Sequence, residues 1–260
     1  MPNSCTSTHP RLYAHRGSSL LAPENTVAAF DLAQQYQCDV LEIDVRLSRD
    51  GHVMVTHDES LERTTNGSGL VRNKTIAQLQ GLDAGCRFYD LNNEPYNGSR
   101  LMLLSLPELF EQYPTVGINI DIKDNLPEAA DAVANIVAPH VHSRWINVAS
   151  FHASVIKRFR LLQPNISTAA TRQEVARLFF MGESAKDDYQ MLQIPTSYCG
   201  IKLDGKRFIH RAQRAQKQIV HWTINEQTKM RQLLANGNNG VVTDRPDLAL
   251  PIFKQLGFKK

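Results

Sequence analysis

Two stretches of the chain put acidic side chains at alternate positions. In Leu41-Glu42-Ile43-Asp44-Val45-Arg46 the odd positions are apolar and the even ones are Glu, Asp and Arg. In Ile118-Asn119-Ile120-Asp121-Ile122-Lys123 isoleucines alternate with Asn, Asp and Lys. Successive side chains of a strand point to opposite faces, so Glu42 shares a face with Asp44, and Asp121 with Lys123. Carboxylates grouped away from water need a cation to offset them. Glu42, Asp44 and Asp121 therefore read as oxygen ligands for one hard divalent cation. Mg2+ or Ca2+ suits such a set, Mn2+ is also compatible, and zinc is disfavoured. The competing reading is a charged network at the strand ends with a structural role only.

Two histidines also fall at strand ends, His15 in Ala14-His15-Arg16-Gly17 and His57 in Val55-Thr56-His57-Asp58. Alone, either would more often be structural. Beside clustered carboxylates they read as a general acid and base, because imidazole exchanges a proton near neutral pH. Arg16 and Lys123 add positive charge that can orient a phosphate and offset the charge developing on it.

The elements that must position these groups follow a βα rhythm. Apolar runs at 11–15, 40–47, 117–123, 145–151, 166–171, 189–194, 219–224 and 240–243 predict eight strands, with helical patterns between most of them, the first over 23–37. Ser48-Arg49-Asp50-Gly51 signals a hairpin into a further strand at 52–57. So short a link makes that strand an antiparallel excursion, since a parallel crossover needs about a dozen residues or more. Residues 61–109, rich in Asn, Gly and Ser, predict a loop-rich insertion with one short helix near 75–80. Within it, residues 84–99 with Phe88, Tyr89 and Tyr96 are expected to overhang the pocket and help select among substrates. Eight staves in βα alternation predict an α/β fold, a (β/α)8 barrel, with catalytic groups at the C-terminal ends of its strands.

Length agrees, since 260 residues is close to the roughly 250 of such a barrel. A single barrel domain over 1–260 is expected, with no linker and no repeat. Hydrophobic residues at 42 % and charged residues at 21 % supply a core and exclude disorder. The formal charge of +3 is spread without a basic run, which argues against nucleic acid and leaves a small anionic substrate. Cys5, Cys38, Cys86 and Cys199 are scattered without a CxxC pair, as suits reduced thiols in a cytoplasmic enzyme. The lead-in 1–10 is polar and no apolar run is long enough to span a membrane. Oligomeric state is not legible.

Several motifs in order resemble one family. Tyr13-Ala14-His15-Arg16-Gly17, Ala22-Pro23-Glu24-Asn25-Thr26 and Ala29-Phe30 look like the opening of glycerophosphodiester phosphodiesterases. Leu41-Glu42-Ile43-Asp44-Val45, Asp50-Gly51, His57-Asp58 and Leu61-Glu62-Arg63-Thr64-Thr65 follow, then Ile120-Asp121-Ile122-Lys123, Trp222-Thr223-Ile224-Asn225 and Thr243-Asp244-Arg245-Pro246. The resemblance covers residues 11 to about 250. It implies a phospholipase-C-like barrel with His15 and His57 as acid and base, Glu42, Asp44 and Asp121 as metal ligands, and Arg16 and Lys123 at the phosphate. It also implies Glu24 as a supporting residue and Trp222 against the glycerol end. The implied reaction releases sn-glycerol 3-phosphate and an alcohol such as choline or ethanolamine. Water or the glycerol 2-hydroxyl could be the first nucleophile. Where Asp121 stands the family more often has Glu, which shortens the carboxylate's reach by one methylene and bears on where the metal sits. Residues 100–104 lack the family's Pro-Thr at the insertion's exit.

Three rivals are weighed against this reading. A lysophospholipase D would need an apolar groove for an acyl chain. A glycoside hydrolase using paired carboxylates would need neither a metal nor two histidines and Lys123. A non-catalytic relative would be expected to have lost a histidine or a carboxylate, and this chain retains them.

Overall fold

The computed structural model describes residues 9–182 and 188–260. Residues 1–8, including Cys5 and most of the polar lead-in, lie outside them. The chain begins with β1 (Arg11–His15), α1 (Val27–Gln35) and β2 (Val40–Leu47). A hairpin adds β3 (Val53–Val55) antiparallel to β2, pairing Val45 with Val55 and Leu47 with Val53. An irregular insertion follows, containing α2 (Ile76–Gln80), before α3 (Leu106–Gln112) leads to β4 (Gly117–Ile122). The alternation continues through α4 (Pro127–Val137), β5 (Ile146–Ala149), α5 (Ala153–Leu162), β6 (Ser167–Thr168), α6 (Arg172–Met181) and β7 (Met191–Ile194). A hairpin of β8 (Ser197–Tyr198) and β9 (Ile201–Lys202) precedes α7 (Lys206–Arg214), β10 (Gln218–His221), α8 (Gln227–Ala235), β11 (Gly240–Thr243) and α9 (Pro246–Gln255).

Setting aside β3 and the β8–β9 hairpin, eight strands lie side by side in chain order, all parallel, and β11 returns to pair with β1. The β6–β7 seam is held by Gln190 N–H to Thr168 O at 3.1 Å and Ala170 N–H to Met191 O at 2.7 Å. This is the expected (β/α)8 barrel with insertions. Its outward faces, Leu41, Ile43 and Val45 on β2 and Ile118, Ile120 and Ile122 on β4, are buried under the helices. That burial is what the isoleucine alternation encodes.

The inward faces stack in layers. Tyr13, Val40, Trp145, Met191, Val220 and Val242 form an apolar floor. Above it the register aligns His15, Glu42, Asn119, Asn147 and Ser167. Above that lie Asp44, Asp121 and Ala149. Period-two alternation thus lifts the chemistry-bearing residues to the C-terminal mouth, over a dry floor that closes the other end.

Several boundaries differ from expectation. The first helix begins at Val27 and not at residue 23, because Thr26 Oγ1 donates to Pro23 O at 2.6 Å and holds a turn there. The insertion ends at Ser105, which caps α3 in a reciprocal capping box with Glu108. It packs its own small core, Leu61, Val71, Leu79, Leu101 and Leu103 with Met54 of β3. The β8–β9 hairpin was not anticipated. Cys38, Cys86 and Cys199 are free thiols. Among the described residues no helix is long and apolar enough to cross a membrane.

Candidate active site

The β1–α1 turn is tightly packed. Gly17 has φ +86°, and a Cβ there would lie 2.6 Å from Phe30 Cδ1 and 2.9 Å from Ala29 Cβ, so only glycine lets the turn pass this close to α1. The preceding residue, Arg16, is held from three sides. Its backbone N–H donates to Glu42 Oε2 at 3.2 Å, its Nη1 to Glu24 Oε1 at 3.0 Å, and its Nε faces Asp44 Oδ2 at 3.0 Å. Lys123, just past β4, sets its ammonium between Asp44 Oδ1 at 2.9 Å and Asp121 Oδ2 at 2.7 Å.

Each histidine is backed by a carboxylate. His15 Nδ1 lies 2.5 Å from Asp244 Oδ1, and Asp244 in turn accepts from Ser19 Oγ at 2.5 Å and Asn225 Nδ2 at 2.7 Å. His57 Nδ1 lies 2.6 Å from Asp58 Oδ1. The hairpin brings this second pair to the mouth: Thr56 N–H donates to Asp44 O at 2.9 Å, and Arg46 Nε donates to His57 O at 2.7 Å. Asp58 is shared with Arg63 Nε at 2.5 Å, and Arg63 also grips Glu24 through both terminal nitrogens at 2.7 and 2.8 Å.

The two dyads differ in charge. Asp58 is neutralised by a guanidinium, whereas the other donors on Asp244 are neutral, so its negative charge bears on His15. Burial draws the His15 imidazole down, yet the Asp244 hydrogen bond and the Glu42 and Asp244 charges outweigh it and hold its pKa above the ordinary value. For His57 burial prevails over Asp44 and Asp58, helped by the Arg16 and Lys123 charges, and its pKa lies below the ordinary value. Burial and the Asp44 charge push Glu42 up to about 7.

His15, Arg16, Glu42, Asp44, His57, Asp121, Lys123 and Trp222 all line one cavity of about 630 Å³ at the barrel mouth. Glu24 stands behind it, joining Arg16 to Arg63. The expected overhang is corrected: none of residues 84–99 lines the cavity, whose outer wall comes from the loops and helices after β5, β6 and β7, with Phe151, Phe179, Phe180 and Tyr198. The insertion packs on itself and on β3 instead. Sequence reading gave no role to Asp58, Arg63 and Asp244, although all three stand inside quoted motifs and Asp58 directly follows His57. Arg172, Phe151 and Tyr198 had no local signal.

As the side chains stand, no three His, Cys, Asp or Glu groups among the described residues converge as metal ligands do. The Lys123 ammonium occupies the space between Asp44 and Asp121. The donor set nonetheless fits a hard cation, because Asp121 Oδ1 is buried without a hydrogen-bond partner and every candidate ligand atom is oxygen.

A parallel barrel with buried carboxylates, two carboxylate-backed imidazoles and two cations at its mouth defines a phosphoester-processing enzyme class. Residues 15–248 match the Glycerophosphoryl diester phosphodiesterase family. The chain belongs to that family and is a phosphodiesterase enzyme of its type. It is 30 % identical over 253 residues to a glycerophosphodiester phosphodiesterase of Bacillus altitudinis, covering 95 % of this chain and 99 % of that one. It is 27 % identical over 262 residues to the lysophospholipase D GDPD3 of Mus musculus, covering 91 % and 79 %. It is similar to an Oleispira antarctica phosphodiesterase solved with the product sn-glycerol-3-phosphate, at TM-score 0.77 and 26 % identity over 96 % of this chain and 98 % of that one.

Proposed function

We propose that this enzyme hydrolyses glycerophosphodiesters to sn-glycerol 3-phosphate and an alcohol, with His15 as general acid and His57 as general base. The observation that carries the assignment of roles is the charge on the two backing carboxylates. Asp244 keeps its charge for His15, which favours the imidazolium and suits it to protonate the leaving alcohol oxygen. Asp58 is already paired with Arg63, which leaves His57 free to take a proton from the nucleophile, whether water or the glycerol 2-hydroxyl. Arg16 and Lys123 present the cationic heads that orient the diester phosphate. Trp222, just past β10 and 6.1 Å from the Phe151 ring, offers an apolar face to the glycerol end. Glu24 supports the site by fixing Arg16.

Glu42, Asp44 and Asp121 would hold one divalent cation, Mg2+, Ca2+ or Mn2+. Such an ion draws negative charge off a phosphate when bound. Release of glycerol 3-phosphate from a panel of diesters, with chelator and with each metal added back, tests the reading. Activity restored by a divalent cation, lost in His15→Ala and His57→Ala with metal affinity retained, and low with no response to added metal in Glu42→Ala is the expected pattern. Near-normal rates in all three variants would refute it.

One observation favours a second reading, lysophospholipase D, the activity named for the mouse relative. Val175, Phe179, Phe180, Ile201 and Leu203 give the cavity an apolar outer wall that a bare glycerophosphodiester leaves uncovered. Comparing hydrolysis of glycerophosphocholine and lysophosphatidylcholine separates the two. A soluble cytoplasmic enzyme acting on small molecules accords with the first reading.

A further inference from the structure

The guanidiniums of Arg16, Arg46, Arg63 and Arg160 are each neutralised by a carboxylate, respectively Glu24 and Asp44, Asp124, Glu24 and Asp58, and Glu174. Arg172 lines the active cavity and differs. Its Cζ lies 5.3 Å from the centre of the Phe151 ring and 6.0 Å from that of Tyr198, and no carboxylate among the described residues pairs with it. Its place is built. Thr171 caps α6 in a reciprocal box with Glu174, whose carboxylate accepts Thr171 N–H at 2.6 Å and is gripped by Arg160 at 2.7 and 3.1 Å. Arg172 is therefore fixed at the first position of a helix, where the macrodipole disfavours a cation. Arg172 is an exposed cation at the wall of a binding cavity, set against the dipole and with no offsetting carboxylate among the described residues, a local conflict of the kind that function explains.

The Phe151 ring is shared by two cations, with Lys123 Nζ 5.6 Å and Arg172 Cζ 5.3 Å from its centre. With Lys123 at the proposed phosphate end, Arg172, near the same ring and lining the same cavity, is within reach of the group attached to that phosphate. Three aromatic rings, Phe151, Tyr198 and Trp222, would otherwise suit a quaternary ammonium. Arg172 already sets its own charge beside two of those rings and repels a second cation. We infer that Arg172, set beside the Phe151 and Tyr198 rings, selects diesters whose alcohol carries an anionic group, a carboxylate or a second phosphate. The inference rests on the proposed hydrolysis and names its alcohol.

Glycerophosphoserine and glycerophosphoethanolamine differ only in a carboxylate on the alcohol and make the matched test. Wild-type kcat/KM should favour the serine diester about tenfold, the gain of one exposed charge-assisted contact. In Arg172→Gln the preference should collapse toward parity through a fall in the serine diester alone, and Arg172→Lys should keep part of it. Glycerophosphoglycerol phosphate, set against glycerophosphoglycerol, distinguishes phosphate from carboxylate recognition. Parity in the wild type for both matched pairs, or a Gln variant that slows serine and ethanolamine diesters equally, overturns the inference. Calorimetric titration of phosphoserine against phosphoethanolamine reads the subsite without turnover. If no diester is hydrolysed, the proposed reaction fails while this titration still decides on Arg172, equal affinities counting against it.

Discussion

Replacing Asp244 with asparagine removes one charge and almost no volume. Oδ1 of Asp244 meets His15 Nδ1 and Ser19 Oγ, each at 2.5 Å, and Oδ2 meets Asn225 Nδ2 at 2.7 Å. An asparagine amide has a single acceptor oxygen, so one of these two sides must face an NH2 donor instead. A hydrogen bond to a charged group contributes about 1.5–3 kcal/mol, and each 1.36 kcal/mol is a factor of about ten in rate. Near neutral pH, kcat/KM should fall roughly ten- to hundredfold. The shape of the pH profile discriminates further. A general acid works while protonated, so activity is lost as pH rises through the His15 pKa. Burial draws that pKa down and Asp244 is the principal group lifting it above the ordinary value. Without the Asp244 charge the alkaline limb should move to lower pH, while the acidic limb, which the proposed mechanism assigns to His57, stays in place. Measuring kcat/KM from about pH 5 to 9, with the melting temperature as a control for folding, reads both effects. An unmoved alkaline limb in a folded variant would refute the assignment of His15 as the acid.

Three further predictions follow from the same geometry. Lys123→Met leaves Asp44 and Asp121 buried without their shared ammonium, so the metal-free protein should lose about 3–5 kcal/mol; added Mg2+ or Ca2+ should recover more melting temperature than in the wild type, and an unchanged melting point in chelator would contradict this. Arg63→Gln frees the Asp58 charge to act on His57, which favours its imidazolium; the base then stays protonated to higher pH, and the acidic limb of the kcat/KM profile should move up, an unmoved limb counting against the charge-balance reading. Gly17→Ala meets both a positive φ of 86° and the Phe30 ring at 2.6 Å, and should cost about 2–4 kcal/mol in a urea titration through strain and overpacking; a neutral result would show that the β1–α1 turn has room.

The sequence by itself determined what depends on neighbours a few residues apart. Period-two alternation in 41–46 and 118–123 fixed which side chains face inward, and the eight staves followed from the rhythm of apolar runs. The Ser48–Gly51 turn fixed the excursion, because a five-residue link leaves only the antiparallel pairing seen between β2 and β3. Helix and strand ends were less legible, since they are set by particular hydrogen bonds such as Thr26 to Pro23 and Ser105 to Glu108. Only the tertiary structure decided the charge state of the site and the wall around it. His15 and Asp244 are 229 residues apart and meet because β11 closes the barrel onto β1. Arg172 reaches the cavity through a cap on α6 and is held by rings from two other loops. Local pattern dictates the face a side chain takes, through backbone geometry alone. Which charges then share a low-dielectric pocket depends on how the sheet closes, and no local window of sequence contains that contact.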